Sequence, residues 1–512
     1  MDIGATFELI HRAGLLDPTR TAALTTGLVR WGPSLAAGVA AGALRLRNRP
    51  AIIDHEGSCT WGELDHRTST QARGLRARGI TRGTQVGILC RNHRGFVEAS
   101  VAATKAGLVP VYLNTGTAAP QLAEVIERES IGALIGDAVL VADLAADAVP
   151  GPVITIGPEW DDVAKQGSRR FDLLRPSSIA PVVMTSGTTG TPKGARRTLG
   201  PRASAGGVAL LERVPYRADD RILVPAPLFH AWGLAHLTIA ASLGATTVLT
   251  ERFDPRTTVD AVADHEATVL AVVPVMLQRL LAADIDPAPL RRLRIVASSG
   301  SALPAPTALQ WMDRFGDHLY NLYGSTEIGQ ATIATPVDLR AAPGTAGKPV
   351  GGSTVRILDR AGNPVPVGET GRIFVGSATS FDHYTGGENK ERIGGLVSSG
   401  DVGHVDNDGR LFVTGRADNM IISGGENVFP EVVEALLLEH VAVAEAAVVG
   451  VDDPVFGQRL KAFLVLDGAL TADAVQAHIA ERLGRHFVPR EVAFVASLPR
   501  NATGKLLRSQ LT

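Results

Sequence analysis

Through its first four hundred residues the chain alternates short apolar runs with stretches that suit helices, and few folds accommodate that rhythm. Runs at 51–54, 85–90, 109–113, 182–184, 222–224 and 294–297 have the length and apolarity of buried strands. Helix-compatible segments at 61–78, 95–105 and 121–129 separate several of them. A strand that returns parallel to its predecessor needs a crossover, usually a helix, so the alternation predicts an α/β fold with parallel-rich sheets. At 512 residues the chain exceeds one ordinary domain. The Pro- and Gly-rich stretch 338–352 predicts a loop, and short strands at 354–358, 371–375 and 410–413 predict a β-rich subdomain beyond it. After Gly415-Arg-Ala-Asp418 the pattern restarts, with a helix from Pro430, a helix at 472–483 and strands at 446–449, 462–466 and 491–495. Roughly ninety-five residues suffice for an independent α+β domain. The expected organisation is an N-terminal helical extension (1–49), a large domain (50–415) and a small C-terminal domain (416–512).

Directly after the apolar run at 181–184 stand Thr185, Ser186, Gly187, Thr188, Thr189, Gly190, Thr191, Pro192, Lys193 and Gly194. Glycine lets backbone N–H groups approach anionic oxygens, hydroxyls donate further hydrogen bonds, and lysine adds a point charge. Such a loop can wrap a polyphosphate. It is not a Walker A loop, which ends in Gly-Lys-Ser/Thr. A flexible surface turn has the same composition. The motifs that follow at long range weigh against that bland reading: Asn321-Leu-Tyr-Gly-Ser-Thr-Glu327, Ser399-Gly-Asp401, Gly415-Arg-Ala-Asp418 and Pro499-Arg-Asn-Ala-Thr-Gly-Lys505.

In this order the motifs resemble those of the adenylate-forming superfamily, which includes acyl-CoA synthetases, luciferases and peptide-synthetase adenylation domains. The resemblance runs from about Pro50 to Arg508. It implies a mobile C-terminal domain and an active site between the two domains. It also implies a reaction in which a carboxylate attacks the α-phosphate of ATP, giving an acyl-adenylate and pyrophosphate before transfer to CoA. By resemblance, the loop from Thr185 to Lys193 cradles the β- and γ-phosphates and Thr326 hydrogen-bonds the α-phosphate. Glu327 would hold Mg²⁺, a hard cation suited to carboxylate oxygen. Tyr323, followed by Gly324 and Ser325, would pack on adenine. Asp401 would accept the ribose hydroxyls, Arg416 would contact the ribose and phosphate, and Lys505 would bridge the substrate carboxylate and α-phosphate. Asp418 matches the hinge, and Ser423-Gly424-Gly425-Glu426-Asn427 suits either a pantetheine arm or a simple turn before the next helix. Gly300, Ser301 and Ala302 suit a turn bordering adenine or a plain strand-to-helix turn.

The acid is read from Pro225-Ala-Pro-Leu-Phe-His-Ala-Trp-Gly233. Amino-acid-activating relatives place an acidic residue after the Phe, whereas His230 stands here, so an acid without an α-amine is expected. Phe229 and Trp232 add apolar surface, and the pattern leans towards fatty acids over aryl acids. His230 would lie against the substrate carboxylate or serve as a satisfied structural histidine. Leu199, Arg196, Arg197 and Asn419 depart from the commoner pattern; the two arginines suit phosphate contact or a solvated basic turn. An amide-bond synthetase or an acyl-AMP ligase with a carrier-protein acceptor keeps the same first half-reaction. A catalytically silent nucleotide-binding protein is disfavoured by the unbroken loop, Glu327, Asp401 and Lys505.

A formal charge of -2 leaves no basic footprint for nucleic acid. Cys59 and Cys90 have no metal-ligand spacing and are expected in the core. Charged residues at Asp2, Glu8, Arg12 and Asp17 interrupt any apolar leader, so a cytoplasmic enzyme is expected. The small-residue segment 33–44, followed by Arg45, Arg47 and Arg49, is too short to span a bilayer. It is expected to pack on the body of the enzyme, with peripheral membrane contact the alternative.

Overall fold

Two parallel-rich sheets carry the large domain in the computed structural model. The structure describes residues 14, 17–145, 147–167, 173, 180–184, 193–197, 210–387, 389–423, 426–453, 457–501 and 504–511. Among these, the first sheet runs in the order His383–Tyr384, Gly194–Arg196, Val182–Met184, Val109–Tyr112, Gln85–Leu89, Ile131–Asp137, Val153–Ile156. The second runs Lys348–Pro349, Gly329–Ala334, Leu319–Ser325, Ile295–Ser298, Val269–Val272, Arg221–Val224, Thr246–Leu249, Pro50–Asp54, Gly57–Thr60. The inner strands of both are parallel and the antiparallel pairs lie towards the edges. Val269–Val272 and Ile295–Ser298 are buried throughout, which is why such strands read as continuous apolar runs.

The strands at 354–358, 371–375 and 410–413 are found as Ser353–Leu358, Gly371–Ser377 and Leu411–Arg416, in a sheet completed by Leu396–Val405 and Arg392–Ile393. The C-terminal part has its own antiparallel-rich sheet, built on the long pair Val443–Asp453 and Gly457–Leu466, with helices Pro430–Leu437 and Ala472–Arg482. The stretch 338–352 is not all loop. It holds the end of the helix Pro336–Ala341 and the short strand Lys348–Pro349. The helix starts at a capping box in which Thr335 and Asp338 satisfy each other's backbone N–H.

The small residues at 33–44 form the helix Leu35–Arg45, capped by Ser34. A Cβ on Gly38 would lie 2.8 Å from Ala241, and one on Gly42 would lie 2.3 Å from the Trp61 ring. The smooth face is therefore spent on packing against helices Ala231–Leu243 and Trp61–Ala77. Among the described residues no helix is long and apolar enough to cross a membrane. Cys59 and Cys90 are buried and free, and burial pushes the Cys59 thiol up to about 11.

A buried polar brace lies behind the helix Ala231–Leu243. His236 Nδ1 faces the Trp232 carbonyl at 3.0 Å and Nε2 faces the Tyr216 hydroxyl at 2.8 Å. A carbonyl only accepts, so Nδ1 carries the proton and the Tyr216 hydroxyl donates to Nε2. Burial holds this imidazole down, with a pKa of about 4. Unfolding returns it to about 6.5, so between these values the unfolded chain binds a proton that the folded chain does not. Stability is thus full above pH ~6.5 and falls towards pH 4, by about 3 kcal/mol for this residue. Burial holds His230 and His318 near 4 as well, with the same sign. Melting temperatures should drop across that window, and His236→Gln should flatten the slope. An unchanged slope would contradict the assignment.

Candidate active site

Parallel sheets leave ligand crevices at the carboxyl ends of their strands, and the sequence motifs gather at those ends. The strand Leu319–Ser325 changes register with Gly329–Ala334 between Tyr323 and Gly324. A Cβ on Gly324 would lie 2.2 Å from the Gly329 carbonyl oxygen, so only glycine fits that approach. A register shift re-aims side chains, and here the Tyr323 hydroxyl donates to Asp401 Oδ2 at 2.5 Å. Asp401 pairs across the third sheet with Arg416, beside a second shift at Val402 and Gly403. Arg416 Nη1 donates to Asp401 Oδ1 and to the Ser399 carbonyl, both at 3.2 Å. Its Nε and Nη2 hold both oxygens of Asp418 at 3.0 Å.

These groups form one half-buried cluster, with Asp418 at its exposed edge. Burial raises the Asp401 carboxyl above its ordinary range, against the pull of Tyr323 and Arg416. Burial also raises the Tyr323 phenol. It opposes the charge on Arg416, but the ion pairs with Asp418 and Asp401 outweigh it and raise that pKa.

Glu327 follows on the turn after the strand. Its Oε2 accepts from Ser325 Oγ at 2.8 Å and its Oε1 from the Tyr384 hydroxyl at 2.6 Å. Lone pairs remain on both oxygens, and Mg²⁺ takes one or two protein carboxylates plus substrate phosphates. The single carboxylate therefore fits that cation. Among the described residues no group of three His, Cys, Asp or Glu could hold a metal. Lys193 lies with its ammonium 5.9 Å from the Tyr384 ring centre. Residues Thr185 to Gly190 lie outside the described residues, as do Leu199, Gly424, Gly425 and Thr503. Glu426 begins the strand Glu426–Val428, whose side-chain detail is described only at Val428.

Lys505 sits on a turn stitched at Asn501, whose Oδ1 accepts from the Lys505 N–H at 2.9 Å. Arg500 braces the turn, donating to Glu445 and to the Gly504 carbonyl. The ammonium makes no hydrogen bond among the described residues. Burial lowers its pKa and Arg416 lowers it further, while Asp401, Asp418 and Glu327 act against them. The charges of the cluster thus act on a lysine of the small domain. Gly504 sets its position: φ is +77°, and a Cβ there would lie 2.3 Å from Val275 Cγ1 of the large domain. Gly504→Ala should push the turn off Val275. A misplacement of about 1 Å costs on the order of 10²-fold, so acid-dependent ATP–pyrophosphate exchange should fall by about that factor. Thioester formation from a supplied acyl-adenylate should persist. Equal loss of both would contradict this placement.

His230 precedes the helix Ala231–Leu243 and stacks obliquely on Phe229 at 4.5 Å. Its Nε2 is buried with no partner, unlike the fully bonded ring of His236. Burial holds it near 4, so it is neutral at pH 7. Trp232 is fixed by its indole N–H, which donates to the Val272 carbonyl at 2.9 Å. Gly300, Ser301 and Ala302 form an exposed turn after the strand Ile295–Ser298, with Val273 beneath Gly300.

Three features escaped the sequence reading. Tyr384 bonds to Glu327, and Asp418 is a bidentate partner of Arg416 as well as a candidate hinge. Asn321 Oδ1 is a buried acceptor with no partner, beside the strand end that carries Tyr323. An orphaned acceptor is costly unless a ligand donates to it, and a base with an exocyclic amine could.

The fold is that of an α/β enzyme with a large N-terminal domain and a smaller C-terminal one. Residues 39–385 match the model of the AMP-binding enzyme family, and residues 432–505 match the AMP-binding enzyme C-terminal domain. The chain belongs to that family, within the adenylate-forming superfamily, and is an AMP-forming, ATP-dependent ligase working with ATP, Mg²⁺ and CoA. It is 33% identical to a 2-succinylbenzoate–CoA ligase of Bacillus licheniformis, over 91% of this chain and 96% of that one. A feruloyl-CoA synthase of Amycolatopsis sp is also 33% identical, with the same coverage. Among solved structures, o-succinylbenzoate CoA synthetase of Bacillus subtilis in complex with its acyl-adenylate superposes with a TM-score of 0.82, at 30% identity, covering 93% and 97% of the chains. The amide bond synthetase McbA of Marinactinospora thermotolerans superposes with a TM-score of 0.81, at 29% identity, covering 93% and 98%.

Proposed function

We propose that this chain activates a compact, ring-bearing carboxylic acid as its acyl-adenylate and transfers the acyl group to CoA. The observation that carries the choice of acid is the pair His230 and Trp232. The neutral imidazole offers an unpartnered buried nitrogen, and the indole is locked in plane by its bond to Val272. A fixed aromatic beside a buried polar atom that lacks a partner suits a flat substrate bearing its own polar group. The CoA ligases named above carry ring-bearing acids in their names, which supports this reading over the fatty-acid one.

In this reading, carboxylate attack forms a bond from acyl oxygen to α-phosphorus as the bond to pyrophosphate breaks, and the electron pair leaves with pyrophosphate. Lys505 sets its charge between the two approaching anions, and Thr326 donates to the α-phosphate. Lys193 and the loop before it hold the outer phosphates. Mg²⁺ on Glu327 would draw charge from the phosphate oxygens. Asp401 holds the ribose, with Tyr323 and Arg416 fixing its carboxylate, and Asn321 accepts from the base. The small domain, taken as 416–512, then turns about Asp418, removes Lys505 and presents 423–427 to CoA.

The test is initial rates with ATP, Mg²⁺ and CoA across benzoates, cinnamates and C6–C16 fatty acids. The ring-bearing acids should lead in kcat/KM. A clear preference for the longer fatty acids would overturn this choice. The likeness to an amide bond synthetase keeps an amine acceptor as the second reading.

A further inference from the structure

The short strand Gly194–Arg196 is flanked by two cations, Lys193 before it and Arg197 after it. Alternate residues of an extended segment share a face. Ala195 packs in the cluster with Ile328, Phe381 and Tyr384, whereas Arg196 points away to Gln85 Oε1 at 3.2 Å. Lys193 and Arg197 therefore lie on the Ala195 side. Lys193 lies over Tyr384, whose hydroxyl donates to Glu327. Arg197 Nη2 donates to the Thr326 carbonyl at 2.6 Å. The two cations bracket the Thr326–Glu327 turn.

Arg197 is not a solvated basic turn. Its Nε is buried without a partner, and its guanidinium makes no ion pair among the described residues, with Glu327 and Asp382 the nearby opposite charges. Arginine does not shed its proton, and a buried cation is costly unless its donors and its charge are both met. Among the described residues one carbonyl meets one of its five N–H groups. The guanidinium, without an ion pair among the described residues, stands beside the Thr326–Glu327 turn, where the phosphates of ATP would gather.

We propose that Arg197 is a phosphate-holding residue of the adenylation site, anchored on the Thr326 carbonyl and giving its spare N–H groups to oxygens of the triphosphate and the departing pyrophosphate. As the α-phosphorus bond to pyrophosphate breaks, its electron pair settles on the leaving oxygens, and a fixed guanidinium stabilises that charge. The proposal rests on the adenylation reading and is independent of the acid and the acceptor.

The test uses the full chain and its Arg197→Met and Arg197→Lys variants. Calorimetry gives the affinity for Mg·ATP without acid. The reverse reaction, acyl-adenylate plus pyrophosphate to ATP, gives the KM for pyrophosphate. Arg197→Met should weaken both by about 10- to 100-fold, leave the KM for the acid unchanged, and spare transfer from supplied acyl-adenylate to CoA. Arg197→Lys should recover part of the loss, because it keeps the charge without the fork. Wild-type affinities in Arg197→Met would overturn the proposal. So would equal loss of both half-reactions with a lowered Tm and no recovery in Arg197→Lys, which would make the residue a structural clamp. A wild-type chain that bound no Mg·ATP would overturn the adenylation reading beneath it, so the two failures are distinct.

Discussion

Lys505→Ala is expected to slow acyl-adenylate formation on the order of 10²–10³-fold, the usual effect of removing one fixed donor from a developing charge. Transfer from a supplied acyl-adenylate to CoA should continue near the wild-type rate. The asymmetry follows from position. The turn that carries the ammonium lies against Val275 of the large domain, the charges of Arg416, Asp401, Asp418 and Glu327 act on it, and it makes no hydrogen bond among the described residues. It is thus free to meet the carboxylate and the α-phosphate, and it has no part once the adenylate exists. Burial lowers its pKa and so disfavours the charged form, which an anionic partner beside it would restore. Pyrophosphate exchange and single-turnover thioesterification separate the two steps. Parallel loss in both, or survival of both, would remove Lys505 from the role given to it.

Asp401→Asn should behave differently. The carboxylate sits under the Tyr323 hydroxyl and Arg416, and a ribose would use its remaining lone pairs. The nucleotide is present in both half-reactions, so both should fall. kcat/KM for ATP should drop on the order of 10²-fold, as two charge-assisted hydrogen bonds weaken together. Because burial raises the Asp401 carboxyl, protonation in the wild type sets in above the ordinary carboxylate range. ATP affinity should therefore weaken on acidification sooner than a normal aspartate allows. That acid limb should be absent in the variant. A variant with full ATP affinity, or one with the wild-type acid limb, would contradict the assignment.

Much of this was legible in the chain itself. Buried parallel strands announce themselves as apolar runs, so 182–184 and 294–297 fall within a residue of the strands Val182–Met184 and Ile295–Ser298. The fixed strings around Tyr323, Asp401 and Lys505 pointed to residues that the fold gathers into one cluster. What was not legible depends on contacts between distant segments. Asp418 reads as a hinge residue from its place in the motif, yet its ion pair with Arg416 needs the turn that brings them together. Tyr384 reads as one aromatic in a polar run until the strand His383–Tyr384 pairs with Gly194–Arg196 and aims its hydroxyl at Glu327. The helix in 336–341 was missed because Pro and Gly dominate the stretch after it, although Thr335 and Asp338 spell a cap. Arg197 gave no sign of burial, because a cation next to glycine-rich sequence reads as surface.

The central claim is tested most directly by identifying products with ATP, Mg²⁺ and a ring-bearing acid, with and without CoA, by mass spectrometry. The account predicts acyl-CoA, AMP and pyrophosphate in equal amounts when CoA is present, and acyl-adenylate bound to the enzyme when it is absent. Acyl-adenylate that accumulates and ignores CoA, or ATP that is not cleaved to AMP with any acid, would contradict it.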